Sequence, residues 1–174
     1  MPPQQVACSS CHTSALPAIL FPSGSKFLPA TVFLSHSSAD REIADRVRRA
    51  LLNHEFSVRT QEDIGASSQT IQALITRRID EAIEHGFVLL LLSEASLKSR
   101  YCRQEALYAL EKAAASRRCN VVPLVISNFQ VIKESLPPGL MFALGGLQWL
   151  DLSAGPLDDR IAELIKNLKT REME

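Results

Sequence analysis

Six consecutive apolar residues, Phe87-Val88-Leu89-Leu90-Leu91-Leu92, constrain the fold more than any other part of the sequence. A strand with one face in water alternates apolar and polar residues, whereas a strand covered on both faces is apolar throughout. The run is also far shorter than the roughly 20 apolar residues that are needed to cross a bilayer. It therefore predicts the central strand of a parallel sheet with helices on both faces.

Shorter apolar segments and helical patterns alternate on either side of this run. Further strands are predicted at 31–34, 56–58, 120–126 and 147–150, and helices at 43–51, 71–83, 106–114 and 157–168, with a polar loop at 61–69. Such alternation implies βαβ units with right-handed crossovers. We expect an α/β, flavodoxin-like sheet of five parallel strands in the order 2-1-3-4-5, with its switch point between the first and third strands.

The totals suit one domain with a tail. Among 174 residues, 19 Lys and Arg balance 19 Asp and Glu, so no net charge favours nucleic acid or an anionic membrane as a partner. Residues 1–29 contain five prolines and are predicted to be a flexible tail or linker, followed by a domain at 30–174. The first residues lack the pattern of a signal peptide, so we expect a cytoplasmic location and free thiols at the four cysteines.

The segment Cys8-Ser9-Ser10-Cys11-His12 matches the pattern by which c-type haem is attached. That chemistry needs export, for which the sequence shows no signal. A zinc site needs a second pair of ligands at suitable spacing, and Cys102 and Cys119 do not supply one. We interpret the segment as two thiols in a tail and expect no metal site.

Glu105 follows the long apolar run, in the segment Ser99-Arg100-Tyr101-Cys102-Arg103-Gln104-Glu105, where a new helix is expected to begin. The first turn of a helix beyond the carboxyl end of a strand faces the crevice in which α/β sheets bind ligands. Two interpretations are open: an acid favoured by the helix dipole, or a functional carboxylate. Position alone favours the dipole.

Four segments resemble the TIR (Toll/interleukin-1 receptor) domain, in the order that this family has them. They are Val32-Phe33-Leu34-Ser35-His36-Ser37-Ser38-Ala39-Asp40, Phe87 to Ser93, Ser99 to Leu107, and Asn120-Val121-Val122-Pro123-Leu124. The resemblance covers about residues 30–170. It is closest to the NAD-cleaving forms of the axon-degeneration and bacterial type, because of the layout from Asn120 through Leu136-Pro137 to Gln148-Trp149.

This resemblance implies a catalytic role for Glu105 and a substrate-supporting role for Tyr101, at a place where tryptophan is commoner. Its further candidate substrate-binding residues are His36, Ser37, Ser38, Asp63 and Ser93. Asp63 stands in Gln61-Glu62-Asp63-Ile64-Gly65, where the family usually has Asp at the strand end and then a loop with Gly. NAD+ would be the substrate, with no cofactor, and the domain would form weak homo-oligomers.

Several candidates keep two interpretations. His36 suits a substrate contact or a general base, and Ser37, Ser38 and Asp40 suit ligands or helix caps. Cys102 shares a helical face with Glu105 and suits a buried small residue better than a nucleophile. Arg100 and Arg103 are expected in solvent or at phosphate, and Trp149 in the core.

The resemblance leaves two functions open, because some TIR domains cleave NAD+ and others only associate. The first hypothesis is an NAD+ glycohydrolase in immune or cell-death signalling. The second is an adaptor that binds other TIR domains through the segment 61–69. A single carboxylate would suffice for the first reaction, because nicotinamide leaves as a neutral molecule and needs no general acid.

Overall fold

A parallel sheet forms the centre of the computed structural model, which describes residues 29–63, 68–118 and 120–172. Its strands are β1 Thr31–Ser35, β2 Ser57–Arg59, β3 Gly86–Leu92, β4 Val121–Val125 and β5 Leu150–Asp151. They are arranged in the order β2-β1-β3-β4-β5, and each neighbouring pair is parallel. The predicted flavodoxin-like topology, with β3 at its centre, is confirmed.

Helices connect these strands and cover both faces of the sheet. Those in the described ranges are α1 Arg41–Asn53, α2 Ser68–His85, α3 Glu94–Lys98, α4 Arg100–Ser116, α5 Phe129–Ser135, α6 Pro138–Leu144 and α7 Leu157–Glu172. Two single turns of 3-10 helix, Ser38–Asp40 and Gln61–Asp63, follow β1 and β2. None of the helices in these ranges is long and apolar enough to cross a membrane.

Alternate residues of β3 belong to two separate cores, which explains why its whole run is apolar. Leu89 and Leu91 pack into the core that includes residues of α1 and α7. Leu90 and Leu92 pack into the core that includes residues of α2 and α4. The strand is therefore buried on both faces, as its sequence predicts.

Pro123 lies within β4, beside a stretch of strand edge that is free. The carbonyl of Val125 accepts a bond from the Leu152 N–H, so the backbone polar groups of Val125 face β5. Pro123 is two residues earlier, so its backbone polar groups face the same side. β5 pairs only with Leu124 and Val125. The missing N–H of Pro123 therefore leaves no bond of the sheet unmade.

Several elements differ from the prediction. The stretch between β4 and β5 contains α5 and α6, which the sequence analysis did not predict, and the last strand is Leu150–Asp151 rather than 147–150. The predicted loop at 61–69 instead includes a 3-10 turn, and α2 begins at Ser68. Residues 1–28 and 119 lie outside the described residues, so the predictions for the tail, its cysteines and Cys119 stay predictions.

Candidate active site

Glu105 lies in the second turn of α4, where it is 3% exposed. The helix begins at Arg100 because the hydroxyl of Ser99 accepts a hydrogen bond from the Cys102 N–H and caps its first turn. The prediction that Glu105 stands in the first turn is therefore wrong. The helix dipole loses its influence beyond the first turn, so it does not explain this carboxylate.

Two donors from other parts of the sheet hold one oxygen of Glu105. Its Oε2 accepts a hydrogen bond from Ser35 Oγ at 2.6 Å and another from Gln61 Nε2 at 2.5 Å. Ser35 is the last residue of β1, and Gln61 opens the turn after β2. The other oxygen, Oε1, is buried and has no hydrogen-bond partner among the described residues. Oε1 is therefore a buried acceptor whose hydrogen-bonding capacity is unused by the described residues.

Burial also changes the acidity of this group. It raises the pKa of Glu105 from 4.5 to about 6, although the hydrogen bonds from Ser35 and Gln61 act in the opposite direction. Where the chain is described, the carboxylate has no cationic partner that would offset its desolvation. A buried carboxylate with a raised pKa and an unpaired oxygen is typical of a functional site.

A cleft of about 400 Å³ lies between α2 and α4 and is partly lined by Glu105. Its lining consists of Gln72, Ile75, Thr76 and Ile79 from α2, and Gln104, Glu105 and Tyr108 from α4. The volume falls within the roughly 300–1,000 Å³ of small-molecule sites. Two isoleucines and five side chains with polar groups give the cleft both apolar and polar surface.

Asp40 connects the loops that follow β1 and β3. Its Oδ2 accepts hydrogen bonds from Ser37 Oγ and Ser93 Oγ, both at 2.6 Å. Asp40 occupies the N-cap position of α1, as predicted, but its side chain makes no capping bond there. Ser93 caps α3 in a reciprocal capping box with Ser96. The hydroxyls of Ser37 and Ser93 are thus hydrogen-bonded within the fold, whereas Ser38 is exposed.

His36 is buried beside this network, and neither of its ring nitrogens is hydrogen-bonded to Glu105. Its Nδ1 has no partner within the part of the chain that is described, and its Nε2 lies 3.8 Å from Oε1 of Glu62. The structure therefore places His36 against the turn Gln61–Asp63.

Asp63 uses both carboxylate oxygens within its own part of the fold. Oδ2 accepts from the N–H and the hydroxyl of Thr60, and Oδ1 accepts from Arg48 at 2.9 Å. Burial would raise the pKa of Asp63, but the bonds from Thr60 and the charge of Arg48 hold it below the usual value. These contacts close the turn after β2, and the structure does not bring Asp63 to Glu105.

The remaining candidates on α4 differ in their surroundings. Tyr101 is 68% exposed, four residues before Glu105. Cys102 is buried, and burial raises the pKa of its thiol, which disfavours a nucleophile. Arg103, which was expected in solvent or at a phosphate, instead donates a hydrogen bond to the carbonyl of Leu97 at 2.7 Å.

Trp149 is half-buried against the core, and its indole N–H donates to the carbonyl of Leu144. Ser35 and Gln61 were missed as site residues. Ser35 stands in the first segment quoted for the resemblance, whereas nothing in the sequence marks Gln61. The described residues contain no cluster of three His, Cys, Asp or Glu side chains that could hold a metal ion.

A family model for the TIR domain matches residues 32–165. The chain belongs to the TIR domain family. The match covers β1 from its second residue, the whole of β3 and the whole of α4, so the resemblance seen in the sequence is confirmed. No match was found among proteins of curated function.

Two solved structures are similar to this TIR domain in fold. The TIR domains of the activated Roq1 resistosome, which directly recognises the pathogen effector XopQ, align with a TM-score of 0.66 and 15% identity, over 79% of this chain and 98% of theirs. A metazoan TIR-STING receptor from C. gigas, in complex with 2',3'-cGAMP, aligns with a TM-score of 0.53 and 24% identity. That alignment covers 75% of this chain and 38% of the receptor.

Proposed function

We propose that this TIR domain is an NAD+ glycohydrolase in which Glu105 is the essential carboxylate. One observation carries the proposal: Glu105 is 3% exposed and lines the cleft between α2 and α4, and its Oε1 has no partner among the described residues. The cleft is the proposed place of the nicotinamide–ribose end of NAD+. Tyr101, one turn earlier and exposed, is available to stack on a ring of the substrate.

The main requirement of this reaction is a negative charge on the protein, close to the bond that breaks. When the bond between C1′ of the ribose and the nicotinamide nitrogen breaks, its electron pair neutralises the pyridinium ring, and C1′ becomes an oxocarbenium-like cation. Ordinary glycosidases need a second carboxyl group to protonate the leaving group, and this substrate does not. The ionised carboxylate of Glu105, in surroundings with little water, stabilises the cation or traps it.

The acceptor then decides the product. Capture of C1′ by water, with loss of a proton, gives ADP-ribose. Capture by the adenine or by a ribose hydroxyl of the same molecule gives a cyclic product instead. We place this activity in immune or cell-death signalling in the cytoplasm, and we expect it in weak homo-oligomers, in line with other NAD-cleaving TIR domains.

Nicotinamide release from NAD+, followed by HPLC with the other products resolved, tests the proposal. The purified domain is assayed at concentrations high enough for self-association, beside Glu105→Ala and the control Glu111→Ala, which removes an exposed acid from the same helix. We expect Glu105→Ala to lower kcat by about 10²–10³ and Glu111→Ala to keep it. If the wild type releases no more nicotinamide than Glu105→Ala, the proposal fails.

Association with another TIR domain is the second candidate function. Phe142 on α6 is 90% exposed and its neighbour Met141 is 42% exposed, and exposed apolar patches often mark protein interfaces. The similar TIR domains of Roq1 are described as part of a resistosome. A second copy of this domain is the partner that we expect on α6.

Sedimentation velocity over a range of concentrations tests whether α6 is the interface between copies. Phe142→Ser should weaken self-association and leave the free energy of unfolding unchanged, because the ring has few contacts. Glu105→Ala should associate like the wild type. If Phe142→Ser associates as tightly as the wild type, α6 is not the interface.

A further inference from the structure

The three residues of the turn Gln61–Asp63 each contact a residue that is distant in sequence. Gln61 donates to Glu105 Oε2 at 2.5 Å, Glu62 accepts from Arg41 at 2.5 Å, and Asp63 accepts from Arg48 at 2.9 Å. Arg41 and Arg48 both belong to α1. The turn is therefore attached to α1 by two ion pairs and to the candidate active site by a single amide.

We propose that Gln61 is a positioning residue for Glu105, so that the geometry of the carboxylate depends on the turn after β2. The inference rests on the proposed function, since it concerns the same carboxylate. Two donors on Oε2 restrict rotation of the carboxylate and leave Oε1 for the substrate. Hydrogen bonds to an ionised group are stronger than those between neutral groups, so the loss of one of two donors has a measurable effect.

The two donors differ in how firmly the fold holds them. Ser35 is 3% exposed at the end of β1, where it is paired with Leu90 of the central strand β3. Gln61 is half-buried in a short turn, and the Arg41–Glu62 pair that helps to hold this turn is exposed. Exposed ion pairs of this kind contribute little to stability. Asp63 is held more firmly, by Thr60 and by the half-buried Arg48, so the weakly held part of the turn is its Gln61 end, and Gln61 is the less firmly held of the two donors.

A neutral amide suits this role because it stabilises the ionised carboxylate without adding a charge to the cleft. The titratable groups on the elements next to Glu105 include Cys102 and Tyr108 on α4, His36 and Asp40 after β1, and Glu62 and Asp63 in the turn. A Gln61→Leu variant keeps all of them. A difference between this variant and the wild type in the titration of Glu105 is therefore due to the lost amide.

The test compares Gln61→Leu with a matched control, Gln130→Leu. Gln130 donates to the carboxylate of Glu134 at 2.6 Å on the surface of α5, so its loss removes the same kind of bond away from the site. Gln61→Ala is assayed as well, in case leucine disturbs the turn. The first readout is NAD+ cleavage as a function of pH. The second is the carboxyl ¹³C chemical shift of Glu105, which does not depend on activity.

For both Gln61 variants we expect kcat to fall roughly ten- to a hundredfold with little change in KM, and the acid limb of the rate profile to move to higher pH. The ¹³C titration of Glu105 should move to higher pH as well, and Gln130→Leu should match the wild type throughout. An unchanged ¹³C titration, or an unchanged kcat in an active enzyme, overturns the proposal. If the wild type cleaves no NAD+, the proposed function fails, and the ¹³C titration still decides whether Gln61 holds Glu105.

Discussion

The hydroxyl of Ser93 lies 2.6 Å from Oδ2 of Asp40, a residue 53 positions earlier in the chain. The same oxygen accepts a bond from Ser37. One carboxylate thus joins the loops after β1 and β3, which are neighbours at the switch point of the sheet. The two loops at the switch point are therefore hydrogen-bonded to each other.

Removal of this carboxylate should destabilise the domain. We expect Asp40→Ala to lower the free energy of unfolding by about 1–3 kcal/mol, because the hydroxyls of Ser37 and Ser93 lose a charged acceptor in a partly buried place. Urea denaturation measures the change. Asp45→Ala, which removes an exposed acid from α1, should stay within about 0.5 kcal/mol of the wild type. Equal stability of the two variants would contradict the structural role of Asp40.

The raised pKa of Glu105 predicts that ionisation of this group destabilises the fold. The folded state holds the proton up to about pH 6, whereas the usual pKa is 4.5, so stability is lost as pH rises through this window. The loss amounts to about 2 kcal/mol at most. Glu105→Gln cannot ionise and should therefore unfold at higher urea than the wild type at pH 8, with the difference vanishing at pH 4.

The control for this prediction is Glu111→Gln, which changes an exposed acid on the same helix. It should leave the pH dependence of stability as it is in the wild type. A wild-type protein that is as stable as Glu105→Gln at pH 8 would show that the buried carboxylate carries no such penalty.

Gly86 should not tolerate any side chain. It pairs with Thr31 at the start of β3, and a Cβ atom built on it would lie 2.0 Å from the carbonyl oxygen of Thr31. Backbone in the middle of a sheet cannot move aside, so Gly86→Ala should cost at least about 2 kcal/mol, measured by thermal unfolding. Gly139→Ala, in α6 with nothing within 4 Å, should be neutral or stabilising.

Asn120 should be needed to complete the end of α2. Its side-chain amide donates at 2.7 Å to the carbonyl of Ile83, in the last turn of α2 where helix carbonyls lack partners, and at 3.0 Å to the carbonyl of Gly86, the first residue of β3. Asn120→Ala should lower the free energy of unfolding by about 1–3 kcal/mol. Asn120→Asp should cost more at pH 7, because it directs a charged acceptor at two carbonyls, and should recover in acid. An Asp variant as stable as the wild type would contradict this account.

Local pattern was enough to predict most of the elements and their order. The run Phe87–Leu92 is apolar because β3 is covered on both faces, so its burial is visible in consecutive residues of the sequence. The short α5 and α6 show a weaker apolar pattern, since α5 has one buried residue and α6 has two. They were missed for that reason.

The turn of α4 in which Glu105 lies could not be predicted from local pattern alone. The sequence places a carboxylate after β3, but the start of α4 depends on the capping bond of Ser99, and this bond shifts Glu105 to the second turn. The expected acid after β2 illustrates the same limit. Asp63 has the right residue type, yet its oxygens are taken by Thr60 and Arg48, and the neighbouring Gln61 is the residue that reaches Glu105.

The sequence by itself determined the α/β class and the strand order and singled out Glu105 as the candidate carboxylate, because hydrophobic periodicity and motif order are recorded in neighbouring residues. Only the tertiary structure decided the environment of that carboxylate. Its donors, Ser35 and Gln61, are 70 and 44 positions away from Glu105, and its desolvation depends on helices that come together only in the folded chain. Hydrogen bonding and desolvation act through space, so a local pattern does not report them.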